Sequence, residues 1–136
     1  MNLHGIQAEE IGLYWPHIVP LLNKPFVRME VVKDYDVDYL LKMLRDSMMQ
    51  CWIAHENDKI VAVFITQVHS YPKRNVLSIP FVGAENGTID TWIDAMDTFK
   101  EFAKENDCSA IRGWGRKGWE KVLHPDSVRI EFDIEV

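Results

Sequence analysis

The run Gly83-Ala84-Glu85-Asn86-Gly87-Thr88-Ile89-Asp90 is the stretch of this chain whose residue types best suit the holding of an anion. Gly87 lets a backbone pass close to a ligand, and Thr88 can cap a helix whose first N–H groups lack partners and whose dipole attracts negative charge. Glu85 and Asp90 oppose that use, because they place two carboxylates where a bound phosphate would lie. Two readings stay open: an ordinary helix cap, or a phosphate loop weakened by its own acids. Gly113-Trp114-Gly115-Arg116-Lys117-Gly118 matches the dinucleotide fingerprint literally, with Asp133 twenty residues beyond Gly113. It is set aside, because Trp114 fills the place of closest backbone approach and Pro125 stops the following helix after barely two turns. His4, His17, His55, His69 and His124 show no metal-ligand spacing, so no metal site is expected. Cys51 and Cys108 sit beside apolar residues and read as small reduced thiols in a core.

These residues belong to a chain of 136, 47% hydrophobic and 26% charged, the composition of one globular domain spanning 1–136. A net charge of -6 argues against nucleic acid, whose binding rests on phosphate neutralisation. Acids cluster at Asp34, Asp36 and Asp38 and again at Glu131, Asp133 and Glu135. Solubility accounts for both clusters, and a cationic amine or a basic protein partner would be attracted by them. No apolar run approaches the ~20 residues of a membrane helix. Met1-Asn2-Leu3-His4-Gly5 has neither the basic nor the apolar region of a secretory signal, so a cytoplasmic protein is expected.

Hydrophobic periodicity supplies the elements. Ile11, Tyr14, Trp15, Ile18 and Leu22 predict a helix that begins near Pro16 or kinks at Pro20. Asp36 can cap a second helix with the stripe Val37, Leu40, Leu41, Leu44 and Met48. Strands are predicted at Gln50–His55, Ile60–Val68 and Val76–Val82. The middle one is apolar on both faces and is expected to be central. Ile89, Trp92, Ile93, Met96, Phe99 and Ala103 mark a long helix, Ser109–Arg112 a strand and Lys117–Leu123 a short helix. Val128, Ile130, Phe132, Ile134 and Val136 alternate strictly with polar residues and predict a half-buried final strand, whose edge could pair with a second copy. Short turns between the first three strands imply antiparallel pairs, and the helical crossover a parallel one. The expected fold is therefore α/β (α+β), a mixed, mostly antiparallel sheet with helices on both faces.

With this order of elements, Gln50-Cys51-Trp52-Ile53, Ile65-Thr66-Gln67, Phe102-Ala103 with Cys108, and Gly115-Arg116-Lys117-Gly118-Trp119 resemble the GNAT family of N-acetyltransferases, in particular short GNAT-like proteins of bacteriophages. The resemblance covers the chain from about Ile11 onward. It implies acetyl-CoA as cofactor, held where the strand before the long helix splays from its neighbour, with Phe81, Val82, Gly83, Gly87 and Thr88 as the binding residues. Pro80 inside that strand suits an edge, a bulge or the end of pairing. The sequence departs from the family where Trp119 replaces the Tyr that acts as an acid; an indole N–H releases no proton at useful pH. No Glu stands in Val76–Val82 as a base, which leaves Ser78, His69 or water. The resemblance thus implies acetyl transfer to an unnamed amine, or a GNAT scaffold that has lost catalysis and serves as a virion component or as a binder of a host protein.

Overall fold

The three-dimensional structure, a computed structural model, describes residues 2–28, 34–85, 89–114 and 119–136. Its elements are β1 (Asn2–Ile6), a 3-10 turn (Ala8–Glu10), α1 (Ile11–Arg28), α2 (Val37–Arg45), β2 (Gln50–Glu56), β3 (Lys59–Ser70), β4 (Asn75–Ala84), α3 (Ile89–Glu105), β5 (Cys108–Gly113) and α4 (Trp119–Leu123). The five strands form one sheet in the order β1-β2-β3-β4-β5; β1 to β4 are antiparallel neighbours and β4–β5 is parallel. Asn57 and Asp58 both adopt positive φ and close the β2–β3 hairpin, as a two-residue turn that follows the strand twist requires. Asp36 caps α2 by accepting from the Tyr39 N–H at 2.7 Å.

Each face of the sheet has its own core. On one, Ile11, Trp15, Ile18 and Leu22 of α1 and Leu40 and Leu44 of α2 pack over Cys51, Ile53, Val63, Ile65 and Phe81. On the other, Ala95, Phe99 and Ala103 of α3 cover Ala54, Ala62, Phe64, Leu77 and Ile79. Phe99 meets Phe64 and Trp52 edge to face at 5.3 and 5.6 Å. A central β3 with helices on both faces agrees with its two-sided apolar run.

Four expectations change, the first being that α2 ends at Arg45 and leaves Met48 exposed beyond it, outside the predicted stripe. The helix α1 runs unbroken through Pro16 and Pro20, because burial of its apolar stripe against β3 and β4 outweighs the lost backbone bonds. Ile93 is exposed rather than part of the α3 stripe, its place under the helix being taken by Ala95. Residues 128–136 are not a strand: among the described residues they join no sheet ladder, and their apolar side chains stand in solvent. Alternation prepares a segment for a sheet, but a strand forms only where an edge accepts it. The short strand β1, which contains Gly5, has too weak a pattern to be read from sequence, and β2 templates it. Among the described residues, no helix is long and apolar enough to cross a membrane.

Gly83 is the closest approach between layers. A Cβ there would collide with the main-chain carbonyl of Leu21 in α1. The Gly83→Ala variant is expected to lose about 1–3 kcal/mol by urea denaturation, with an unchanged m-value, because a backbone carbonyl cannot rotate aside.

Candidate functional site

Strand β4 changes partners at Pro80. Ile65 of β3 lies opposite Phe81 while Gln67 lies opposite Ser78, so two steps on β3 match three on β4. The extra residue is a β-bulge at Ile79–Pro80, and it reverses the side-chain parity: Ile79 faces α3 whereas Phe81 faces α1 and α2. Pairing with β5 runs from Asn75 to Ile79, opposite Gly113, and stops there. From Pro80 to Ala84 the edge of β4 that faces β5 pairs with no strand among the described residues. Proline suits the point of departure, since it has no N–H to offer.

The direction of each amide on this open edge follows from one hydrogen bond. Glu85 N–H donates to the Val61 carbonyl at 3.0 Å, one step beyond the Ala62–Ala84 pair. In an antiparallel ladder, hydrogen-bonded and non-bonded pairs alternate. Phe81 and Gly83 therefore turn their N–H and C=O toward β3, and Val82 and Ala84 turn theirs toward the gap, where the Pro80 carbonyl also points. Of the strand residues named from sequence, Val82 brings its amide to the gap. Phe81 contributes a buried ring that meets Tyr35 edge to face at 5.3 Å, and Gly83 contributes closeness to α1. Gly87 and Thr88 lie outside the described residues, as do the side chains of Asp90 and Trp119.

The surroundings of the gap explain which groups remain available. Glu85 forms an ion pair with Lys59 at 2.7 Å across the β3–β4 edge, so its charge is answered by a cation. Ser78 is buried and donates to the Gln67 carbonyl at 3.1 Å. His69 pairs with Val76, six residues before Val82, or roughly 20 Å away along the strand, and its ring stacks on Tyr71. Neither candidate base stands beside the open amides. Opposite the bulge on β3, the buried Thr66 accepts from Trp52 Nε1 at 3.0 Å and donates to Gln50 Oε1 at 2.9 Å, which satisfies its hydroxyl in both directions.

Sequence reasoning missed Ala84, whose importance lies in its main chain, and Tyr35, which meets Phe81 and has Tyr39 5.7 Å from its ring. The tyrosines' signal was present as the aromatic members of Asp34-Tyr35-Asp36-Val37-Asp38-Tyr39, but only the fold sets that segment against β4. Among the described residues, no group of His, Cys, Asp and Glu is arranged to hold a metal ion.

No family model and no curated protein matches the sequence. Solved structures match nearly its whole length. An aminoglycoside acetyltransferase from an uncultured soil metagenomic sample, in complex with trehalose, superposes with a TM-score of 0.69 at 13% identity, over 99% of this chain and 95% of that one. A predicted acetyltransferase with acetyl-CoA from Clostridium acetobutylicum gives 0.68 at 18% identity, over 98% and 95%. A ribosomal-protein-alanine N-acetyltransferase from Brucella melitensis biovar Abortus gives 0.62 at 12%, over 100% and 98%. The fold of this chain is thus the GNAT acetyltransferase fold.

Both cysteines are free thiols. Burial pushes the Cys51 thiol up to about 12 from an ordinary 9.0, which removes it as a nucleophile. A pKa raised by folding stabilises the native state fully below pH 9, and that contribution is lost as pH rises toward 12. Relative to a Cys51→Ala variant, the wild type should therefore lose stability only above pH 9, by up to about 1.4 kcal/mol per pH unit in paired denaturation curves. Curves that stay parallel from pH 8 to 11 would contradict this.

Proposed function

We propose that the protein is an acetyl-CoA-dependent N-acetyltransferase acting on a cationic amine. The observation that carries this reading is the open edge of β4 after Pro80, with the amides of Val82 and Ala84 directed into a gap between two strands that are otherwise paired. An extended edge with alternate free N–H and C=O groups fits an arm built of amide bonds, which it can bind as an added strand does. Bound there, acetyl-CoA would supply an activated acyl group and a thiolate that departs without an acid.

The chain's own residues take the remaining tasks. The Val82 N–H is a donor for the carbonyl oxygen on which negative charge develops, in a strand held rigid by β3. Phe81 and Tyr35 wall the α1–α2 side of the strand, next to Asp34, Asp36 and Asp38, which draw in a cation. Asp36 is engaged as the α2 cap, leaving Asp34 and Asp38 as the exposed charges of that group. With Ser78 bonded to Gln67 and His69 on the other half of the strand, the proton of the attacking nitrogen passes to water. The acetyltransferases of similar fold include one that acts on aminoglycosides, which supports a polycationic acceptor. The rival reading, a binding scaffold without catalysis, rests on the acids Glu85 and Asp90 and on Trp119 in place of the Tyr; of these, the charge of Glu85 is answered by Lys59.

Acetyl-CoA at 100 times its dissociation constant should stabilise the fold by about 2.7 kcal/mol, seen as a rise of several degrees in Tm. An Ala84→Pro variant, which deletes one N–H at an exposed position, should bind roughly five- to tenfold more weakly. Released thiol should appear with polyamine acceptors and be far slower with neutral amines. A Tm unmoved by millimolar acetyl-CoA would reject the reading.

A further inference from the structure

Strand β1 ends at Ile6, opposite Cys51, whereas β2 begins one residue earlier, at Gln50. Gln7 leads the chain from β1 into the 3-10 turn, and the turn after α2 passes through Ser47 at a φ of 58°. Between these two turns and the start of β2 lies a cavity of about 290 Å³. Small-molecule pockets run from roughly 300 to 1,000 Å³, so this one has room for a single substituted ring. Ile6, Ile11, Leu44, Met49, Trp52 and Phe102 are its apolar walls, and among the described residues no charged side chain lines it. Trp52 and Phe102 meet edge to face at 5.1 Å and give it two aromatic surfaces.

One polar group in this lining has a set direction and no partner. The Trp52 indole N–H can only donate, and it donates to Thr66 Oγ1 at 3.0 Å. The Thr66 hydroxyl has one proton, which goes to Gln50 Oε1 at 2.9 Å. Thr66 is fully buried behind the lining, so the Gln50 carbonyl is turned away and the NH2 group is what Gln50 offers to the cavity. Among the described residues, nothing accepts from that NH2. Water can meet the amide but gains nothing from the apolar walls, whereas a ring that carries an acceptor suits both. An ion would lie there without a countercharge, which is costly. We propose that the cavity binds a small uncharged aryl carbonyl compound, with its ring against Trp52 and Phe102 and its carbonyl oxygen accepting from the Gln50 NH2. The site is separate from the gap beside β4, since two strand spacings, roughly 10 Å, lie between β2 and β4.

Benzamide is the probe, and benzamidine, of the same shape but a donor-only cation, is its counterpart. NMR titration of the full chain is expected to show saturable benzamide binding in the millimolar range, with benzamidine at least about tenfold weaker. Gln50→Glu keeps an oxygen for Thr66 and replaces the NH2 by a second carboxylate oxygen, so it should reverse that preference. Ala8→Leu, which adds bulk to the lining at the 3-10 turn, should remove the binding of both while leaving the circular dichroism unchanged. A wild type that binds neither compound, a Gln50→Glu variant that keeps the wild-type preference, benzamide binding indifferent to Ala8→Leu, or displacement of benzamide by acetyl-CoA would each overturn the proposal.

Discussion

One extra residue in β4 organises the molecule. Strand β3 pairs with β4 on both sides of Ile79–Pro80, so the ladder between them survives the insertion and its whole consequence falls on the other edge. There, the parallel register with β5 cannot continue past Ile79, and the two strands part. The bulge also changes which layer each half of β4 serves. Leu77 and Ile79 belong to the core under α3, and Phe81 belongs to the core under α1 and α2. A strand that moves from one core to the other at a bulge is held in place by both.

The neighbours of the bulge are rigid for reasons that can be named. Thr66 stands on β3 at the irregular step, fully buried, with its hydroxyl used once as donor and once as acceptor. Trp52, which donates to it, is fixed in turn by Phe99 and Phe102 of α3, edge to face at 5.6 and 5.1 Å. On the opposite layer, α1 comes so close to Gly83 that no side chain fits between them. The open amides of Val82 and Ala84 are thus presented on a strand whose other edge, upper layer and lower layer are all occupied. Such presentation is the physical basis of preorganised binding, since little ordering remains to be done when a ligand arrives.

Much of this was legible from residues alone, and the failures have specific causes. The two-sided apolar run Ile60–Val68 marked the central strand, Asp36 marked a helix start, and Pro80 marked a place where pairing had to change. Proline misled in α1, where Pro16 and Pro20 are carried inside an intact helix by the packing of Ile11, Trp15, Ile18 and Leu22. Glu85 looked like an obstacle to an anion and is instead the partner of Lys59, which sits at the start of the neighbouring strand, 26 positions earlier. Gly83 looked like a loop glycine and is a packing glycine, because its contact lies on Leu21 in another layer. Ala84 carried no signal, since its part is played by a main-chain amide that every residue but proline possesses.

Period and punctuation in the sequence therefore determined the order of elements from α1 to α4, the two-sided burial of β3 and the cap at Asp36, because these depend on neighbours within a few residues. Tertiary structure decided what faces what: the bulge that separates β4 from β5, the amides left open by it, the approach of Tyr35 to Phe81 and the ion pair at Glu85. The same division governs residues 128–136. Their alternation is local and complete, yet whether they form a strand depends on an edge, and an edge belongs to the fold, not to the segment.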